Sequence, residues 1–185
     1  MSNKVTFGLK NVHYAKRTNE TTYENPVPIP GAVEISLEPK GEGAEFYADD
    51  VLYYSAPNNQ GYDGTLTIAN IPEQFAIDCL GETKDNKNVI LEKSSSVGSA
   101  FALLFEFDGD VKATRHVLYN CTASRPTVSS ATRTNSKEPN TNELTFVAAP
   151  KADGVVKGRT SSAASNETDT TTYNNWYTKV YVTAG

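Results

Sequence analysis

The residues that most often carry catalysis are few in this chain. His13 and His116 are the only histidines, and no Gly-x-Ser-x-Gly segment marks a serine nucleophile. His116 lies in an alternating stretch, where it shares one face with Asn120 and Thr122. We therefore interpret His116 as a solvent-exposed or interface residue, and we expect neither histidine to act in catalysis or to bind a metal.

Acidic residues occur in two close pairs, Asp49-Asp50 and Asp108/Asp110. A glycosidase needs a second carboxyl at a defined distance from the first, which a sequence does not give. A calcium loop needs further ligands at alternate positions, and none surround Asp108-Gly109-Asp110. We interpret both pairs as turns, and the glycines of segment 41–43 as part of a loop rather than a phosphate site. No catalytic activity, cofactor or metal is expected.

Charge and composition exclude several further classes of protein. The chain has 185 residues, with 17 Lys and Arg against 22 Asp and Glu, which gives a net charge of −5. Such an acidic chain lacks the basic surface that gives affinity for nucleic acid. No apolar run is long enough for a membrane helix, and residues 1–10 lack the apolar stretch of a signal peptide, so we expect synthesis in a cytoplasm and no membrane partner. Cys79 and Cys121 form no paired motif, and we expect two buried thiols.

Alternating apolar residues predict a mainly β protein, and the length fits one domain over residues 1–185. The apolar phase shifts between Leu9 and Val12, which indicates either a bulge or a strand buried on both sides. Segment 101–107 is apolar on both faces, and Asp108-Gly109 then turns the chain. The predicted strands cover residues 5–14, 33–37, 66–68, 101–107, 115–123, 144–148, 155–156 and 176–182.

One helix is predicted over residues 72–80. Pro72 and Glu73 suit its first turn, and Gly81 is placed to end it in a left-handed conformation. Its apolar residues fall on one stripe, so the helix should pack against a sheet. Those residues are Phe75, Ala76, Cys79 and Leu80.

Three long segments between the predicted strands read as loops. Segments 124–142 and 160–175 are polar and should lie on the surface. Segment 41–64 is unusually aromatic, which is typical of a functional loop covered by a partner. Its large apolar residues are candidate contacts with another protein: Phe46, Tyr47, Leu52, Tyr53, Tyr54 and Tyr62. Sugar stacking on a β-sandwich, by these tyrosines or by Trp176 and Tyr177, is the alternative.

Four stretches of the chain carry a family resemblance. They are FGLKNVHYA at 7–15, ADDVLYYSAPNNQGYDGTLTIANIPEQFAIDCLG at 48–81, FALLFEFDGD at 101–110 and RHVLYNCTASRP at 115–126. Together they resemble the major tail tube proteins of long-tailed, non-contractile bacteriophages. The end of the chain, with Trp176-Tyr177, is similar to the end of that family as well.

The resemblance implies a β-sandwich or barrel-like tail-tube fold with one flanking helix and a long protruding loop, here 41–64. It implies six copies per ring and rings stacked into a hollow tube. Expected partners are further copies of the chain, a tape-measure protein, and tail initiator and terminator proteins. The genome would pass through the lumen without specific binding.

These observations favour a structural protein of the virion tail, assembled in the host cytoplasm and without enzyme activity. The family uses a long hairpin loop and the chain termini for contacts between rings, so the resemblance places such contacts in segment 41–64 and at the ends of the chain. A carbohydrate-binding β-sandwich module is the alternative function.

Overall fold

The computed structural model describes residues 7–110, 112–128, 140–162 and 167–183. Most of the elements in these ranges are strands, as the alternating sequence predicts. The strands are β1 (Leu9–Lys16), β2 (Val27–Pro28), β3 (Ala32–Lys40), β4 (Ala44–Ala48), β5 (Val51–Ala56), β6 (Gly61–Ile68), β7 (Thr83–Lys84), β8 (Ile90–Leu91), β9 (Phe101–Phe107), β10 (Arg115–Ala123), β11 (Asn142–Ala148) and β12 (Lys157–Thr160). The helices are α1 (Glu73–Phe75), which continues as a π-helical turn (Ala76–Leu80), and α2 (Glu167–Asn174).

One antiparallel sheet forms the body of the protein. Its strands follow the order β2-β1-β9-β10-β11-β6-β3, and β12 pairs with the first half of β10. The two ends of this path approach each other without strand pairing, because β1 contacts β3, and Ile29, in the connection between β2 and β3, donates its N–H to the carbonyl oxygen of Val12 at 2.8 Å. The sheet therefore curls into a barrel-like wall, in agreement with the predicted fold class.

Strand β9 is buried on both faces, as its sequence predicts. Phe101, Leu103 and Phe105 point into the inner core, whereas Ala102 and Leu104 belong to a second apolar cluster on the other face of the sheet. Its neighbour β1 changes register between Lys10 and His13, so the predicted phase shift is a bulge. The inner core also contains Val12, Tyr14, Leu66, Ile68, Phe75, Leu118, Leu144 and Phe146.

The predicted helix over 72–80 is confirmed as α1 and the π-helical turn. It ends at Gly81, whose φ of 80° is the left-handed conformation that glycine tolerates best. Phe75 is fully buried, with its ring edge-on to Tyr14 at 5.0 Å between centroids. Cys79 and Cys121 are free, buried thiols, as expected.

The end of the chain departs from the prediction. Segment 176–182 is not a strand but an irregular segment that lies over the outer face of β9 and β10. The Trp176 Nε1–H donates to the His116 carbonyl oxygen at 3.2 Å, and the Tyr119 hydroxyl donates to the Tyr181 carbonyl oxygen at 2.8 Å. Its alternating apolar residues therefore pack onto a sheet that is already paired, rather than extend it.

Two other boundaries are corrected. The strand predicted at 155–156 lies at β12 instead, two residues later. The predicted loop 160–175 contains α2, whose Thr-rich sequence has low helix propensity. Tertiary contacts stabilise this helix, because Tyr173 packs against Arg115 of β10.

Parts of three predictions fall on residues outside the described ranges. These are the start of the first predicted strand, at 5–6, residues 129–139 of the predicted loop 124–142, and residues 163–166 of the predicted loop 160–175. Within the described ranges, no helix has the length and apolarity needed to span a bilayer.

Candidate assembly surface

The predicted loop 41–64 is shorter in the structure, because residues 61–64 belong to β6. Residues 41–60 form a β-hairpin that continues the β3–β6 pair outward. The N–H of Gln60 donates to the carbonyl oxygen of Lys40 at 2.9 Å, and beyond this bond β4 and β5 pair only with each other among the described strands. Gly41 permits the close approach at the base, because a Cβ on it would lie 2.4 Å from the Asn58 carbonyl oxygen. The expectation that these glycines form a loop rather than a phosphate site agrees with this role.

A two-residue turn closes the hairpin at its tip. Asp49 and Asp50 have φ values of 52° and 60°, the positive values that a type I′ turn requires at both central positions. Aspartate tolerates this conformation better than most residues do. The predicted turn is confirmed, and within the described part of the chain neither carboxylate has an ion-pair partner.

The hairpin carries apolar side chains on both of its faces. Phe46 pairs with Tyr54, and Tyr47 pairs with Leu52. The register shifts between these pairs, which leaves Tyr53 as the extra residue of a bulge, with its ring edge-on to Phe46 at 6.5 Å. Because neighbouring pairs point to opposite faces of a ribbon, neither face of the hairpin is polar throughout.

These side chains are exposed to an unusual degree for apolar residues. Tyr53 is 78% exposed and Tyr47 is 61% exposed. Phe46, Leu52 and Tyr54 are exposed as well. A contiguous set of exposed apolar groups marks an interaction surface. We call these five residues the aromatic arm.

Tyr62 does not belong to the aromatic arm, although sequence analysis grouped it there. It lies in β6, paired with Ala148 and Pro39, and it is half-buried against the inner core. The Lys157 ammonium is 4.6 Å from the centre of its ring. Sequence analysis also missed Val51, which is 63% exposed at the start of β5.

The other carboxylate pair has a structural role. Asp108 accepts a hydrogen bond from the Lys10 ammonium at 3.0 Å. Asp110 accepts from the N–H of Lys112 at 3.0 Å and from the N–H of Thr114 at 2.9 Å. The hydrogen bond from Lys10 holds the pKa of Asp108 below its ordinary value, and those from the Thr114 side chain and the two N–H groups do the same for Asp110, because they stabilise the charged form. The pair therefore shapes the β9–β10 turn, as predicted.

Both histidines pack against aromatic rings. The His116 ring is stacked on Phe105 at 5.2 Å, and His13 is stacked on Tyr177 at 4.7 Å. Burial, with the nearby charges of Arg159 and Lys157, lowers the pKa of His116. Across the described residues, no three potential metal-ligating side chains gather into one group.

Trp176 is not available to stack on a sugar. It is only 3% exposed, and it packs in the second apolar cluster with Ala102, Leu104 and Val180. Tyr177 is half-buried between His13 and Arg115. The sugar-stacking alternative is therefore wrong for Trp176, and of the residues it named only those on the hairpin are open to solvent.

A buried ion pair between Glu106 and Arg115, which was not predicted from the sequence, holds α2 against the sheet. Glu106 is 5% exposed, and it accepts hydrogen bonds from Asn11 Nδ2 at 2.6 Å and from Arg115 Nε at 3.2 Å. The Arg115 guanidinium covers the Tyr173 ring, with 3.9 Å to its centre. The signal in the sequence is a single charged residue, Glu106, within the apolar segment 101–107.

Comparison with solved structures identifies proteins that share this fold. No protein-family model and no curated protein matches the sequence. A chain of the sheath–tube complex of the PVC extracellular contractile injection system, in its extended state, superposes with a TM-score of 0.50. The two chains are 10% identical, and the match covers 85% of this chain and 93% of that chain.

Two further matches have lower scores. The sheath/tube terminator of the PVC system gives a TM-score of 0.46 and 11% identity, over 80% of this chain and 92% of that chain. The tube-terminating cap of an anti-feeding prophage gives a TM-score of 0.46 and 10% identity, over 88% of this chain and 95% of that chain. The first match shows that the chain shares its fold with a chain of a sheath–tube complex of a contractile injection system, and at this identity it shows the fold alone.

Proposed function

We propose that this chain is a structural subunit of a bacteriophage tail tube. The observation that carries the proposal is the aromatic arm, which holds five exposed apolar side chains on a hairpin that pairs with no other described strand. In a monomer this surface would be a liability, because exposed apolar ribbons associate. Contact with a further copy of the chain would remove it from water.

In this proposal the chain forms hexameric rings that stack into the tube of a long-tailed, non-contractile phage, with the aromatic arm as the contact between rings. The family resemblance supports the ring number, the absence of a contractile sheath and the partners. Those partners are a tape-measure protein and the tail initiator and terminator proteins. The fold shared with a component of a sheath–tube complex is compatible with tubes of either kind.

The open edges of the sheet support assembly of identical copies. Within the described part of the chain, β3 and β12 each pair with a strand on one side only. Pairing such edges around a ring would satisfy their free backbone groups. Stacking of rings is a head-to-tail contact that does not close on itself, so it produces a filament.

The charge of the chain supports a conduit for DNA. A subunit of net charge −5 contributes an acidic wall, which neutralises few phosphates and releases few counterions. DNA would therefore slide along the lumen rather than bind to it during ejection. We assign the chain no catalytic activity, because its acidic pair at Asp108/Asp110 and its histidines serve structural contacts.

Assembly of matched variants tests the proposal. Tyr53→Ala removes the most exposed ring of the aromatic arm, whereas Tyr53→Phe keeps the ring and removes only the hydroxyl. We expect Tyr53→Ala to abolish tubes in electron micrographs at concentrations at which the native chain and Tyr53→Phe form them. Tubes of normal length with Tyr53→Ala would reject the assignment of the aromatic arm.

A further inference from the structure

A groove lies at the end of the barrel from which α1 leaves. It has a volume of about 300 Å³ between the π-helical turn and the β7–β8 pair. Its floor is apolar and consists of Ile71, Ala76, Leu80, Ile90 and Pro126. Ala76 and Leu80 also contact the inner core, so the floor is part of the rigid body of the fold.

Three glutamates form the rim of this groove. Glu73 is 3.6 Å from the Lys84 ammonium, and Glu92 is 2.7 Å from the Arg125 guanidinium. Glu82 is half-buried, and it has no ion-pair partner among the residues that the structure describes. Its carboxylate is therefore an acceptor available to a hydroxyl or N–H donor from outside the chain.

The groove and the aromatic arm lie at opposite ends of the same strand. The arm continues from Gly61, at the start of β6, whereas Ile71 follows Ile68, at its end. The strand alone separates these ends by roughly 23 Å at about 3.3 Å per residue. A chain therefore does not place its own arm in its own groove.

We infer that this groove receives the aromatic arm of a second copy of the chain, an inference that rests on the proposed tube function. The two surfaces are complementary in chemistry. The arm offers exposed apolar rings, with phenolic hydroxyl donors on Tyr53 and Tyr54, and the groove offers an apolar floor with carboxylate acceptors on its rim. The acidic tip of the hairpin, Asp49-Asp50, requires cations at the contact, and the groove carries those of Lys84 and Arg125 beside its glutamates. They are also complementary in placement, because an arm at one end and a groove at the other produce a head-to-tail contact.

Site-directed cross-linking tests this inference on the full chain. The native thiols of Cys79 and Cys121 do not interfere, because both are buried and burial raises the pKa of each thiol. One variant carries Tyr53→Cys and Glu82→Cys, with one thiol on the arm and one in the groove. The matched control carries Tyr53→Cys and Thr145→Cys, which places the second thiol on the exposed face of β11, in the middle of the barrel wall.

Assembled samples of both variants are treated with a short bis-maleimide and separated under denaturing conditions. We expect a ladder of two, three and more covalently joined chains for the groove variant, and single chains for the control. Tubes in the micrographs without a ladder from the groove variant would overturn the inference and leave the tube function intact. A cross-link from position 82 to a different tail protein would overturn it as well. Failure of every sample to assemble, even with the other tail proteins present, would instead reject the tube function.

A charge on the floor of the groove gives a second readout. We expect Ile90→Asp to raise the concentration needed for tube formation at least tenfold, because it places a charge where the apolar rings of the arm must pack. Leu91→Asp, at the exposed neighbouring position of β8, changes the net charge equally and should leave this concentration within twofold of the native value. Equal effects of the two variants would overturn the inference.

Discussion

Arg115 Nε lies 3.2 Å from Oε2 of Glu106, on the neighbouring strand of the barrel wall. The same guanidinium donates from Nη1 to the Tyr173 carbonyl oxygen and covers the Tyr173 ring. One buried ion pair thus joins β9, β10 and α2. It stabilises the C-terminal segment on the outer face of the sheet, where Trp176 and Val180 of this segment are buried.

Loss of the arginine should destabilise the fold. Arg115→Met leaves Glu106 buried without its closest cation, and we expect a loss of about 3 kcal/mol in the free energy of unfolding. Lys10→Met removes a more exposed cation 3.8 Å from the same carboxylate and should cost less than about 1 kcal/mol. Urea denaturation of the two variants checks this, and equal losses would contradict the assigned role of Arg115.

Folding and assembly should respond to different aromatic residues. Phe105→Ala opens a cavity in the inner core, where the side chain is 2% exposed, and should cost about 3–5 kcal/mol. Tyr53→Ala changes a side chain that is already in water, and should change the stability of the monomer by no more than about 0.5 kcal/mol. Thermal melts of the monomers give both values. A native melt for Phe105→Ala would mean that the core is wrongly placed.

Removal of the hairpin that carries the aromatic arm should abolish assembly and leave the fold intact. Deletion of residues 44–60 keeps the last pair of the main sheet, Lys40 with Gly61, and leaves segment 41–43 as the connecting loop. We expect this variant to keep its circular dichroism spectrum and a cooperative melt, since the inner core lies outside the deletion. Micrographs should show no stacked rings. Normal tubes would reject the arm as the contact between rings.

Stability should also depend on pH through His116. Its pKa in the folded chain is lowered from the ordinary value of 6.5, so the unfolded chain binds a proton more readily. The free energy of unfolding therefore falls as the pH drops below 6.5 and is fully present above it. The carboxyls with a lowered pKa, such as Asp108, stay charged over this pH range and contribute little to this change.

Urea denaturation near pH 7.5 and pH 5.5 measures this effect over the range in which histidine titrates. We expect the native chain to unfold at a lower urea concentration near pH 5.5. His116→Phe, which keeps an aromatic ring against Phe105, should reduce that difference. An unchanged difference in the variant would assign the pH dependence to another group.

Local sequence signals predicted the elements whose structure is set locally. The two-sided apolar run of β9 and the stripe on the helix that ends at Gly81 both reflect short-range periodicity, and both are confirmed. Segment 176–182 has a similar alternation, yet it packs onto a sheet instead of joining one. The difference depends on which backbone groups are already paired, and that information is not local.

The candidate assembly surface was also only partly predictable from local sequence. An aromatic hairpin was recognisable from composition and from the family resemblance. However, Tyr62 belongs to the barrel wall, because the register of β6 directs it toward the core and Lys157. The pair of Glu106 with Arg115 depends on the alignment of two strands, and the groove depends on elements far apart in sequence. Neither follows from periodicity.

In the proposed function, the chain is a tube subunit whose aromatic arm joins successive rings. Cryo-electron microscopy of the full chain, expressed with tail initiator and tape-measure proteins, would show this contact. We predict hollow tubes of stacked rings, in which the β4–β5 hairpin of each subunit is buried against the next ring. A chain that stays monomeric with those partners present, or tubes in which this hairpin remains in solvent, would contradict the account.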